Sequence, residues 1–482
     1  MATCRWKPTR KQAYRFEYNY ECREAPWRDG AFCIFHAPRE EKTREEFEKA
    51  VLLKTEREES DESTGFHDFR GYVFPDGFSA FAGASPGGGK NFRKRVDFTH
   101  ARFGNGASFL HAALGDKAGF FHAAFGDGAD FSGAGFGDDA VFLRVRFGDG
   151  ARFAGARFGN KAVFKFTAFG NGARFEDAAF GDDASFIRAS FGDGTVFAGA
   201  GFGSEARFSG AAFGGGADFT RAGFGKMARF SGAAFGDGAS FLHAAFGDEA
   251  SFSSAAFLGS ALFEGADRDE SGGRVFEGSA NFRGARFDKP ETVLFHKVNF
   301  SRALVGDASG LEKISFRDVR WASLPGRRHA IFDEEHREES EPAPVARAYR
   351  QLTENYEAAR EYRVAGDFHT GAMRMEEDSL RYHWHEPQRG RPWILPELVS
   401  ACVKFIAYKC YGILSDYGES WLRPLAWLVL LVLVGGVPDY RGLVNQLSSR
   451  SFTFPLLAYL HAAALPSLIA LLLHALERRF RR

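Results

Sequence analysis

Cysteine is scarce in this sequence. The five present (Cys4, Cys22, Cys33, Cys402 and Cys410) are too few for a disulfide scaffold in 482 residues. An excess of charge of one sign is also missing. Sixty-two Lys and Arg stand against 62 Asp and Glu, so the formal net charge is zero. Without a basic stripe, no nucleic-acid partner is expected. The opening "MATCRWKPTR" has no apolar core and does not read as a signal peptide. Catalytic signatures are lacking too: there is no nucleophile elbow, no dinucleotide fingerprint and no acid–base pair set apart from the repeats. "GGGK" at 87–90 fails as a phosphate loop, because Ala84 stands where a Gly is needed and Asn91 where Ser or Thr is needed. The expectation is a protein that is not an enzyme.

Phenylalanine, in contrast, is abundant and regularly placed. "FGDGARFAGARFGNKAVF", residues 147–164, carries it at 147, 153, 158 and 164. From Phe98 to Phe263 the gaps alternate between 5 and 6 over 31 sites, of which 30 are Phe and one is Leu114. Two residues before each site stands a small residue, usually Ala, with Val145, Thr167 and Thr195 as substitutes. An 11-residue period would suit a right-handed coiled coil. Glycine argues against it, because each Gly costs a helix roughly 1 kcal/mol relative to Ala.

The local pattern fits short strands instead. In "ARFAG" the Ala and the Phe are two apart and face one side of an extended segment, while the residue between them faces out. Gly, Asp, Asn and Ser supply the turns. Four units of 5, 6, 5 and 6 residues make a coil of 22, with the longer corners diagonally opposite. Phe98, Phe120, Phe142 and Phe164 then stack about 4.8 Å apart. Gly after Phe is expected to provide φ > 0 at the sharper corner.

These A-x-F-x-x units resemble the pentapeptide-repeat proteins, and the resemblance covers residues 66 to about 321. It implies a mainly β fold, a right-handed quadrilateral β-helix. The sixth residue in every second unit departs from the family pattern. A calcium-binding roll is the competitor for "GDGA", but that roll repeats every nine residues. Some members of the family mimic DNA and protect gyrase. That role demands a strongly negative rod, whereas residues 98–263 hold 16 acidic and 14 basic residues.

Around the ladder the sequence divides into further segments. Residues 1–65 form a Cys/His segment plus a helix. Cys4, Cys22, Cys33 and His36 could complete a tetrahedral zinc site, with "CIFH" as a short chelating turn. The alternative is unrelated thiols. "TREEFEKAVLLKTERE" (43–58) reads as a helix opened by a Thr43–Glu46 capping box. The β-helix with its capping coils is expected over 66–325. Phe276, Phe282, Phe287, Phe295, Phe300, Phe316 and Trp321 would continue the ladder with insertions. A charged linker follows at 326–344, and a helical hairpin at 345–386.

The C-terminal region turns apolar. Residues 396–414 read as an interfacial helix and 420–482 as a transmembrane hairpin. "LAWLVLLVLVGGV" (425–437) is marginal in length, whereas 454–476 holds 23 residues without Asp, Glu, Lys or Arg. The segments beginning "CIFH", "YRQLTENYEAAREYRVAGDF" and "SDYGESWLRPL" resemble parts of membrane-anchored family members, some of which end in a two-helix pore domain. "PDYRGLVNQLSSRSFTF" between the spans has no selectivity-filter strand. Lys404, Lys409, Arg423 and "ERRFRR" flank the spans and place both flanks inside. The expectation is a multi-pass membrane protein with a cytoplasmic solenoid that meets a protein partner. The alternatives are a channel-derived module with a degenerate pore and a gyrase-type DNA mimic.

Overall fold

The computed structural model describes residues 32–63, 65–266, 275–336 and 341–385, together with 409, 411–413 and 422–435. The chain divides into two compact units. One is built mainly on residues up to Leu304 and the other mainly on residues from Trp321.

The first unit is a parallel β-solenoid. Its strands are mostly two residues long, because each unit of the repeat must turn a corner after its Phe. Ser190–Phe191 pairs with Ala168–Phe169 on one side and Ala212–Phe213 on the other, each partner 22 positions away. The same offset joins Arg146–Phe147 to Ala124–Phe125 and Ala179–Phe180 to Arg157–Phe158. Four columns of side chains fill the interior. In one of them Phe98, Phe120, Phe142 and Phe164 stack at 4.8, 4.6 and 4.6 Å between ring centroids. Neighbouring columns meet edge to face, as Phe142 does with Phe153 at 6.1 Å. Stacked and T-shaped pairs are the two arrangements that the ring quadrupole favours. The column rings are between 0% and 6% exposed, and the Ala two residues earlier packs beside them.

The glycine after each Phe has a different role from the one the sequence suggests. Gly148 is not in the left-handed region. A Cβ built on it would stand 2.2 Å from Asp127 Oδ1, one coil away. That carboxylate oxygen accepts the N–H of Asp149 at 2.9 Å. The arrangement repeats: Asn105 accepts from Asp127, Asp138 from Asn160, and Asn171 from Asp193. Positive φ falls two residues after the glycine, on Gly150 (67°) but also on Asp139 and Lys161 (60° each).

The N-terminal end of the solenoid is covered. Helix α1 (Arg44–Ser60) opens with the expected capping box: Thr43 Oγ1 accepts the Glu46 N–H, and Glu46 accepts the Thr43 N–H at 3.2 Å. It buries Phe47 against Phe74 and Phe78 of the first coil, at 5.1 and 6.0 Å. Fully buried His67 stands between Glu58 and Glu59, at 3.2 and 2.9 Å, and ties the end of α1 to the first strand. Covering the edge in this way hides strand groups that would otherwise template another chain. At the far end Phe282, Phe287 and Phe295 stack on Phe252, Phe257 and Phe263 at 5.1, 5.0 and 4.8 Å. The columns therefore continue past the insertions expected there.

In the second unit, strands Arg320–Leu324 and Arg327–Ala330 pair antiparallel around Gly326, whose φ is 82°. Trp321 follows Arg320, whose N–H donates to the Val298 carbonyl at 3.0 Å. The Trp321 Nε1–H donates to Tyr356 Oη at 2.8 Å, and its ring meets Phe368 edge-on at 5.2 Å. Helices α2 (Pro342–Ala358) and α3 (Tyr362–His385) pack together through Tyr349, Leu352 and Tyr356 on one helix and Ala365, Phe368 and Ala372 on the other.

The expected charged linker at 326–344 is partly built into this unit. Glu334 is 4% exposed and takes Arg327 Nη2 at 2.5 Å and Tyr349 Oη at 2.6 Å. Asp333 accepts the N–H groups of Val305 and Gly306. Charges that read as solvated in sequence are here neutralised by buried partners. Lys409, expected on an interfacial helix, pairs with Glu377 at 2.6 Å. Helix α4 (Leu422–Gly435) covers most of the first expected span. Among the described residues no helix is long and apolar enough to cross a membrane. The second expected span, 454–476, lies outside the described residues.

Candidate metal centre and solenoid surface

Two of the four expected zinc ligands meet. Cys33 and His36 lie on one turn, held by the N–H groups of His36 and Ala37 donating to the Cys33 carbonyl at 3.0 and 2.9 Å. Cys33 Sγ stands 3.1 Å from His36 Nδ1, and His36 Nε2 stands 3.3 Å from the Arg70 carbonyl. Both side chains are buried, at 1% and 4% exposure. One ring nitrogen faces the sulfur at hydrogen-bond distance, and a carbonyl lies beside the other, as backbone carbonyls do for zinc-bound histidines. Ordinary Zn–S and Zn–N bonds would set the two donor atoms about 3.6 Å apart, a small opening of the observed pair.

Beside it, Lys42 reaches the Ile34 carbonyl at 2.8 Å and the Phe47 ring at 4.4 Å. Burial pushes its amine down to about 7, against the opposing pull of Cys33. Cys4 and Cys22 lie outside the described residues. Among the described residues no group of three or more His, Cys, Asp or Glu side chains is placed to hold a metal ion. The pair fits half a tetrahedral site.

The solenoid histidines stand at corners. His100, His111, His122 and His243 have φ between 57° and 59°. A left-handed conformation costs an L-residue roughly 1–2 kcal/mol, so corners filled by side chains carry strain that glycine corners do not. Only the alternation of Gly with bulkier residues at one register position hints at this in the sequence. His100 and His122 stack at 5.2 Å. Burial, and then its neighbour His122, hold His100 below the ordinary histidine value; burial, and then Arg144 and Arg146, do so for His122.

The titratable groups of the second unit form a lock. Tyr349 donates to Glu334 and accepts the Ile331 N–H at 3.1 Å. Burial, reinforced by Glu334, raises its phenol well above the usual range and keeps it protonated. A Cβ on Gly371 would come within 2.5 Å of the Tyr349 ring, so glycine admits the close approach of α3.

Compared with known protein families, with curated proteins and with solved structures, the chain matches none of them.

Proposed function

We propose that the chain is a non-catalytic interaction scaffold. Its solenoid is read as the right-handed, four-sided pentapeptide-repeat type, and its C-terminal region as a membrane anchor. One observation carries the reading. Coil after coil, the interior is filled by Phe and Ala at fixed register, while the residue between them points outward and varies. Such a rod has a constant core and an editable surface, which suits presentation of side chains to a protein partner. Support for the anchor is the 23-residue run at 454–476 and the basic "ERRFRR" after it.

Proximity labelling from the intact protein tests the scaffold. A reproducible set of protein neighbours is expected, and labelling no richer than that of an unfused enzyme would overturn it. Reporter fusions at residues 1, 445 and 482 test the anchor. Both termini should report the cytoplasm and residue 445 the outside; an external signal at 482, or none at 445, would remove the hairpin.

A further inference from the structure

The basic residues of the solenoid are not evenly distributed. On one five-residue corner, successive coils present "THAR", "FHAA", "LRVR", "KFTA" and "IRAS", beginning at 99, 121, 143, 165 and 187. The backbone locks these corners together. The N–H groups of His122, Arg144 and Phe166 donate to the carbonyls of Leu143, Lys165 and Ile187 of the next coil, at 3.0 Å each. Outward from this corner stand Arg102, Arg144, Arg146, Lys165 and Arg188. Among the described residues none of the five has a carboxylate within ion-pair reach.

Elsewhere on the rod some cations are paired. Arg174 pairs with Glu176 at 3.7 Å, and Arg207 with Asp183 at 2.7 Å. At the same corner the following coils carry only Ser209–Gly210, Ser231–Gly232 and Ser253–Ser254. Arg152, Arg157, Arg221 and Arg229 also stand without an ion pair among the described residues, so what sets this edge apart is five cations within five successive coils of one corner beside an exposed ring.

Apolar side chains accompany that charge. Phe166 is 44% exposed, and Arg144 and Arg188, from the coils on either side, lie 5.7 and 5.9 Å from its ring centroid. A guanidinium stacked on a ring keeps its N–H edge free to fork onto a carboxylate. Phe121, Leu143 and Ile187 lie half-buried and flush beside the same corner. Exposed aromatic and Arg side chains in one patch are the composition of interface anchors.

We propose that this edge, from His100 to Arg188, is the docking surface of the scaffold, and that it takes an acidic, apolar-bearing protein segment in extended form. This rests on the scaffold reading above. Charge complementarity decides the partner: five unpaired cations ask for carboxylates, and Phe166 with its neighbours asks for an aliphatic or aromatic side chain between them. Four coil spacings of about 4.8 Å give an edge about 19 Å long, the reach of about six extended residues. A lipid surface fits less well, because only Phe166 protrudes and an interfacial element buries an apolar face about 5–10 Å deep.

The test uses the purified full chain and a fluorescent eight-residue peptide in which glutamate alternates with leucine. Arg144→Glu with Arg188→Glu should weaken binding by about tenfold or more, as loss of charge-assisted forks requires. Arg174→Glu, on another corner, should leave it unchanged, and a lysine–leucine peptide should not bind. If the double variant loses the circular dichroism of the wild type, Arg144→Gln with Arg188→Gln supplies the same comparison. Equal binding by wild type and variant, equal loss with Arg174→Glu, or binding to phosphatidylserine vesicles in place of the peptide would each overturn the proposal. Proximity labelling separates the two readings. Neighbours unchanged by the double variant would discard this edge and keep the scaffold, whereas no neighbours with either protein would discard the scaffold.

Discussion

Asp127 Oδ1 occupies the space that a Cβ on Gly148 would fill, 2.2 Å from its ideal position, and the same oxygen accepts the N–H of Asp149. From Gly126 to Gly214 each six-residue corner is thus closed by a side chain from the preceding coil, and the glycine is the room made for it. The stacked carboxylates are interrupted by amides at Asn105, Asn160 and Asn171, which dilutes like charge along the edge.

Glycines in this protein should therefore respond in opposite directions. Gly148→Ala is expected to cost about 1–3 kcal/mol, the range of overpacking against a rigid neighbour. Gly201 has an unstrained φ, nothing within 4 Å of its ideal Cβ, and Ala179 as its register partner. Gly201→Ala should stabilise by about 0.4–1 kcal/mol through the unfolded chain. Equilibrium denaturation of the two variants decides, and the same sign for both would remove the carboxylate-closed corner.

The columns make a second contrast. Phe175 is fully buried between Phe153 and Phe197, at 5.0 and 4.6 Å. Phe175→Ala should cost about 3–5 kcal/mol, because rings pinned on both sides cannot collapse into the cavity. Phe121, outside the columns, touches His122 at 4.3 Å on the outer wall, and Phe121→Ala should cost less than about 1 kcal/mol. Similar unfolding midpoints for the two variants would sink the 22-residue coil.

Acid should weaken the solenoid before the carboxylates titrate. His100 faces His122, Asp97 and Arg102, and His122 faces Arg144 and Arg146; both imidazoles are held below the ordinary value. The unfolded chain then takes up protons first as the pH falls through about 6.5, so stability present above that pH is lost below it. Asparagine tolerates left-handed φ, so His100→Asn with His122→Asn keeps the corners. The double variant should show a flatter dependence of unfolding free energy on pH between about 7 and 5. An unchanged slope would mean that the two rings titrate as they do in water. A later loss at lower pH is expected from Asp237 and Asp248, whose carboxylates are held down by the Ser260 and Ser279 N–H and hydroxyl groups.

For the metal, elemental analysis of freshly purified full-length protein should find about one zinc per chain if Cys4, Cys22, Cys33 and His36 act together. Cys33→Ser should lower that content, and a chelator should lower the unfolding temperature of the wild type more than that of the variant. Metal-free protein that is indifferent to chelator would leave Cys33 and His36 as a buried hydrogen-bonded pair.

The sequence by itself determined the solenoid, its 22-residue register and the identity of its core. In a coil of fixed length every long-range contact falls at one separation, so Phe142 and Phe164 announce their contact by spacing alone. The capping box of α1 was legible for a related reason, since Thr43 and Glu46 satisfy local N–H groups within one turn. What only the tertiary structure decided depends on atoms that periodicity does not bring together. The partners of the Trp321 indole, the Tyr356 hydroxyl and the Phe368 ring, come from two helices that no repeat aligns with it. Asp333 and Glu334 read as a solvated linker until backbone N–H groups, Arg327 and Tyr349 enclosed them. Gly148 read as a source of positive φ and proved to be a space. The sandwich of Phe166 between Arg144 and Arg188 arises because unlike residues share one register position, where a repeat fixes the place but not the side chain.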